Sequence, residues 1–280
     1  MKEFLITQFI KQTGRNQEKI KDVMRKTYPS QRMAILMRES QPIGELFNDW
    51  PFLRETVHFL DHASHLLGKE SLYNEFLENV AKYFTIHDFM QYFVTGQMKK
   101  FKGKTTEKLT TIRQILKDSR DAVQSLNESF PQALSLIPLV LTYFDEENAI
   151  FQVVEKTTSD DDILNMVSIP TPLAIIKGDS VYSKDVSCLV LIEQRICFRC
   201  DKAVTAVLIA FLCYYVFGLK YPVKSAKTLE FMQRAFVGIN TPGSKAVAGG
   251  KKRKRGVAGV KPCVMKLINT LTNYWTPNAE

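Results

Sequence analysis

Through the first 145 residues, apolar positions recur every three or four places, which predicts a series of helices joined by short connections. Asn16 precedes a charged, periodic stretch that runs to Thr27, where Tyr28-Pro29 breaks it. Ser30 is placed to cap the next helix, through Glu39. Asp49-Trp50-Pro51 supplies a cap and an early proline for a helix to Leu67, with Gly68 just past its end. Thr85-Ile86-His87-Asp88 resembles a capping box before a helix to Lys100. The longest pattern opens at Thr105 or Thr106 and carries Leu109, Ile112, Ile115, Leu116, Val123 and Leu126. Pro131 and Pro138 bracket a shorter apolar helix.

After Asp145 the period changes. Ala149–Val154, Leu173–Ile176 and Val186–Ile196 read as β-branched strands, with Gly178-Asp179-Ser180 as a turn between the last two. Ala203–Leu219 then runs seventeen residues without a charge. It is short of the roughly twenty residues a bilayer span needs, so it predicts a buried central helix. Leu208, Phe211, Leu212 and Tyr215 are expected to be inaccessible on it. An amphipathic helix over Ser225–Val237 and a last short one over Val264–Leu271 complete the pattern. The fold class is therefore α+β, predominantly helical, with a small antiparallel β element preceding a buried apolar helix. Residues 1–145 form the helical region. Residues 146–240, the β element and central helix, belong to one domain with it. Residues 241–261 form a flexible basic segment, and 262–280 a short C-terminal helix.

Composition changes this picture at one place. The net charge is +9, but Thr241–Lys261 alone holds seven cations and no acid, so the remainder is nearly neutral. A generally basic surface for nucleic acid is not implied. The five cysteines are odd in number and confined to Cys188, Cys197, Cys200, Cys213 and Cys263, which does not read as a disulfide framework. No secretory signal is visible, and a reducing compartment is expected.

Candidate chemistry is sparse. His58, His62 and His65 fall within about 60° of one another on a helix, opposite Leu60, Ala63 and Leu67, so they are expected on a solvated or interface face rather than around a metal. Cys197-Phe198-Arg199-Cys200 lacks a turn residue between its cysteines, and reads as structural rather than zinc-binding. Ser159-Asp160-Asp161-Asp162 reads as a helix N-terminus. Gly249-Gly250-Lys251-Lys252 fails as a phosphate loop, because Lys245 stands where its first glycine belongs and no Ser or Thr follows. No GxSxG is present, and no catalytic, cofactor-binding or metal-ligating residue is assigned. The one positive signal is Lys251, Lys252, Arg253, Lys254 and Arg255. Five consecutive cations gain nothing inside a core, and suit an import receptor's acidic groove or a phosphate backbone.

Tyr214-Tyr215-Val216-Phe217-Gly218-Leu219-Lys220-Tyr221-Pro222 and Thr228-Leu229-Glu230-Phe231-Met232-Gln233-Arg234 carry a resemblance, with Tyr28-Pro29 and Trp50-Pro51-Phe52-Leu53. The chain resembles, over residues 20 to 240, an expanded family of uncharacterised vertebrate proteins, some labelled as similar to sterile alpha motif domain-containing proteins. The sterile alpha motif itself is not evident. The resemblance implies a folded domain and brings no catalytic residue.

The expected function is that of a non-enzymatic nuclear interaction protein. An import receptor or nucleic acid would be the partner of residues 251–255, no cofactor is expected, and a membrane partner is not. Cytoplasmic location is the alternative. The rival functions are an enzyme whose pocket is assembled from distant residues, and a membrane-associated protein using residues 203–219.

Overall fold

The computed structural model describes residues 1–11, 13–38, 41–97, 104–240 and 261–275. In chain order they form α1 (Lys2–Ile10), α2 (Gln17–Lys26), α3 (Tyr28–Leu36), α4 (Ile43–Asp49), α5 (Thr56–Leu67), α6 (Leu72–Lys82), α7 (Ile86–Gln97), α8 (Lys104–Leu126) and α9 (Phe130–Phe144). Then follow β1 (Phe151–Val154), α10 (Asp160–Met166), β2 (Leu173–Lys177), β3 (Ser187–Ile192), β4 (Arg195–Cys200), α11 (Ala203–Val216), α12 (Ala226–Phe231) and α13 (Pro262–Trp275). The class is α+β and mostly helical. The chain divides into two compact units: Met1–Leu72, Ile150–Asp179 and Val186–Leu219 make the first, and Tyr73–Ala149, Ser180–Asp185 and Lys220–Glu280 the second.

The first unit is built on a four-stranded mixed sheet in the order β1-β2-β3-β4. β2, β3 and β4 pair antiparallel, while β1 joins the edge parallel to β2. One face of the sheet packs Leu173, Ile175, Leu189 and Leu191 against Ile163 and Val167 at α10. The other receives α11, which also packs on α5. A sheet covered on both faces needs apolar residues at consecutive positions, and Cys188–Ile192 are all buried. A helix between a sheet and another helix likewise has almost no solvent face. Leu208, Phe211 and Leu212 are at most 1% exposed. Tyr215 differs from expectation: it is half-buried, and its neighbour Tyr214 takes the inaccessible place. α11 stops where Gly218 turns left-handed, φ +66°, and Leu219 N–H donates back to Tyr214 O at 3.0 Å. Arg32 Nη1 caps the same end by donating to Val216 O at 2.6 Å. Fourteen residues rise about 21 Å, well below a bilayer's thickness. Among the described residues no helix is long and apolar enough to cross a membrane.

Three further readings of this unit need correction. Asp49-Trp50-Pro51 does not open the helix to Leu67: Asp49 ends α4, Pro51–Arg54 forms a separate 3-10 turn, and α5 starts at Thr56 behind Glu55. Val186–Ile196 is not one strand. Glu193 and Gln194 both adopt left-handed backbone (φ 51° and 59°) and fold the run into the β3–β4 hairpin. Neither residue favours that conformation, and their partners hold it. Glu193 accepts from Arg38 Nη1 at 2.9 Å and Ile43 N–H at 2.8 Å, and donates its own N–H to Pro170 O at 3.0 Å. At the other end of the unit, Ser30 is no cap. α3 opens at Tyr28 with Pro29 in its first turn, so α2 and α3 meet directly at Thr27.

In the second unit α8 packs on α7 and α9, and α12 lies against α9 and α13. Pro138 sits inside α9 rather than at its end; buried Leu134, Leu136, Ile137, Leu139 and Leu141 hold the helix across the missing N–H. The helix read as amphipathic over Ser225–Val237 is buried on nearly every side. It forms α12 and a π turn at Met232–Phe236, with Thr228, Glu230 and Gln233 inside. Glu146 caps it, accepting from Lys227 N–H and Thr228 N–H at 2.8 Å and from Thr228 Oγ1 at 2.9 Å.

Candidate functional site

Direct succession of α2 and α3, with α5 laid beside them, leaves a hollow of about 480 Å³ in the first unit. Asn16 starts α2 by accepting from Lys19 N–H at 3.0 Å, and Gly68, φ +64°, ends α5 as the sequence predicts. α2 contributes Lys21, Met24 and Arg25, α3 contributes Tyr28 and Gln31, and α5 contributes the histidine face.

That face is not solvated. His58 is 6% exposed and His62 4%; only His65 lies in the open. The helical-wheel reading placed all three away from Ala63, which is correct, but α2 and α3 cover that side as well. The exposed stripe of α5 instead carries an apolar residue, Val57.

The hydrogen bonds fix the protons of this wall. Thr27 Oγ1 donates to Val23 O at 2.7 Å, so it accepts from Gln31 Nε2 at 2.9 Å, and Gln31 Nε2 donates again to Met24 O at 2.8 Å. Gln31 is thereby oriented with Oε1 toward His62 Nδ1, 2.9 Å away. Nδ1 is the donor, and Nε2 keeps its lone pair. Burial, then the neighbouring Arg32 and His65, push the His62 pKa down to about 3, so the ring is neutral at physiological pH. Burial also lowers His58, against Glu55 and Asp61, which pull it up. Among the described residues, His62 Nε2, His58 Nδ1 and Asp61 Oδ2 are buried with no hydrogen-bond partner. Asp61 Oδ2 has distant ion pairs there, with Lys21 Nζ at 3.9 Å and Arg25 Nη2 at 4.0 Å. Tyr28 closes one side, its ring centroid 4.7 Å from that of His62 and 4.1 Å from that of His65.

The cysteine pattern resolves differently. Cys197 and Cys200 lie on β4, Cys200 is paired in register with Cys188 on β3, and all three are buried free thiols, as is Cys213 on α11. Burial pushes Cys188 and Cys197 up to about 12 and Cys200 to about 11. Thiolates are scarce there at neutral pH, so these groups are poor nucleophiles and poor ligands. Among the described residues no three His, Cys, Asp or Glu side chains are grouped to hold a metal ion. Ser159 caps α10 by accepting from Asp162 N–H at 3.1 Å, and Asp160 pairs with Arg199 Nη2 at 2.6 Å and Lys177 Nζ at 3.4 Å. The acidic run is a helix start, as read. Lys251, Lys252, Arg253, Lys254 and Arg255 lie outside the described residues.

Sequence reasoning singled out the histidines but missed Tyr28, Gln31 and Asp61, which give the hollow its shape and proton order. The available signal was the pair of polar residues, Thr27 and Gln31, one turn apart at a helix junction. Residues 1–55 match the family model described as the helical domain of sterile alpha motif domain-containing protein 3. The match links this chain to proteins of that kind. It takes in α1–α4, Tyr28-Pro29 and Trp50-Pro51-Phe52-Leu53, and stops short of the stretches at residues 214–222 and 228–234. No curated protein and no solved structure matches the chain.

Proposed function

We propose that this chain is a non-enzymatic nuclear interaction protein whose Lys251, Lys252, Arg253, Lys254 and Arg255 contact an import receptor or nucleic acid. The observation behind it is the segregation of charge: seven of the cations that make the chain basic lie in Thr241–Lys261 without one acid among them. Such a run is strongly hydrated and self-repelling, so its free energy improves most on meeting an acidic groove or phosphates. The buried, high-pKa thiols and neutral buried histidines favour an interaction role over nucleophilic chemistry.

The test changes all five residues to alanine in the full chain. The expected outcome is an unchanged melting temperature with nuclear accumulation lost. If phosphates are the partner, each contact releases about 0.9 counterion, and duplex affinity in the parent falls steeply with salt. Lost accumulation without DNA binding in either version assigns the run to import. A substituted protein that distributes and binds like the parent overturns the proposal.

A further inference from the structure

The histidine hollow has buried acceptors inside, and at its mouth Lys21, Arg25 and Lys69 outnumber Glu70; the two together define what fits it. His62 Nε2 is an acceptor because Gln31 Oε1 holds the proton on Nδ1. Asp61 Oδ2 is a second acceptor, and His58 Nδ1 is a third buried polar atom without a hydrogen-bond partner among the described residues. Three such atoms on one helix, lining one hollow, are costly to the fold until hydrogen-bonding partners reach them. Water alone would satisfy them, but a hollow of about 480 Å³ is the size of a small-ligand pocket.

The class of donor follows from charge. An ammonium would face Lys21 Nζ and Arg25 Nη2, already within 4.0 Å of Asp61 Oδ2, and be repelled by them. A neutral hydroxyl meets no such repulsion. The same two cations are half exposed or more, so they can receive an anion without losing much hydration. Tyr28 and His65, 4.1 Å apart, offer ring surface to the C–H face of a carbon skeleton. We infer that this hollow binds a phosphorylated polyol, its hydroxyls donating to His62 Nε2 and Asp61 Oδ2 and hydrogen-bonding His58 Nδ1, and its phosphate lying against Lys21 and Arg25. The site shares no residue with Lys251–Arg255, so the two proposals stand or fall separately.

The test uses the full chain with ¹⁵N-labelled histidine and three probes: glucose 6-phosphate, glycerol 3-phosphate and inositol 1-phosphate. At least one should shift His62 Nε2 and His58 Nδ1 saturably at millimolar concentration. Replacing both mouth residues (Lys21→Ala with Arg25→Ala) should weaken that binding ~10-fold or more, the weight of one charge-assisted contact. The same change should leave the melting temperature within about two degrees, because both positions are exposed. The unphosphorylated polyol should bind parent and double variant alike. Inorganic phosphate binding as tightly as the polyol phosphates would overturn the inference, by reducing the site to its mouth. Histidine signals unmoved by all three probes would do the same, as would one equivalent of zinc held by the parent and lost in His62→Gln.

Discussion

Each compact unit has a hollow walled by a histidine, and the two imidazoles are held in opposite ways. In the second unit His87 borders a space of about 230 Å³, with Nδ1 3.0 Å from Phe84 O and Nε2 2.7 Å from Ser135 Oγ. Both ring nitrogens are used within the fold. In the first unit His62 has one nitrogen bound by Gln31 and the other left as a buried acceptor. Burial lowers the pKa of both, but at His87 the Phe84 carbonyl and Asp88 oppose it while Arg120 adds to it, whereas at His62 Arg32 and His65 both add to it. An imidazole whose two nitrogens are satisfied is a piece of scaffold. One that is locked in a single tautomer keeps an acceptor that the proposed ligand would engage.

The largest expected effect is the acid sensitivity that His62 brings to the first unit. The His62 pKa of about 3 lies below the unfolded value of 6.5, so between them the unfolded chain binds the extra proton. Stability from this group is complete above pH 6.5 and falls by about 1.4 kcal/mol per pH unit on the way down toward 3. Urea melts at pH 7, 6 and 5 should show that slope in the parent and a shallower one in His62→Gln; equal slopes would erase the contrast. Next in size is a pair of aromatic replacements read at pH 7.5. His87→Phe abandons contacts at both nitrogens and should cost about 1–3 kcal/mol, while His62→Phe abandons one and should cost roughly half as much. Equal losses in chemical denaturation would mean the two rings are equally structural. The smallest effect belongs to Asp61→Asn. Its ion pairs are long and their cations exposed, so stability should change by less than about 0.5 kcal/mol, measurable by the same melts.

How much of this was legible depended on whether the deciding partner was near in sequence. The charge-free run at Ala203–Leu219 declared a buried helix because only an interior surrounded by other elements tolerates such a surface, and α11 lies there. Gly68 and Ser159 carried their roles in their own backbone and side-chain chemistry. The hairpin at Glu193-Gln194 had no local signal, because its left-handed turn is held by Arg38, Ile43 and Pro170, at least 23 residues away in sequence. The histidine wall was half legible. Spacing put His58 and His62 on one face, but only the packing of α2 and α3 made that face an interior, and nothing in α5 announces a second covering layer. Fold class was written in the pattern of apolar positions, whereas the proton arrangement of the candidate site arose from a contact 31 residues apart, His62 with Gln31.

The four cysteines of the first unit give it a built-in clock. Cys188, Cys197, Cys200 and Cys213 are each at most 7% exposed, and their protons are held too firmly for alkylation in place. A thiol reagent must therefore wait for the sheet and α11 to part, and its rate of incorporation counts those openings one by one when reaction outpaces reclosing. Cys263, exposed on α13 in the second unit, reacts without waiting and marks time zero in the same tube.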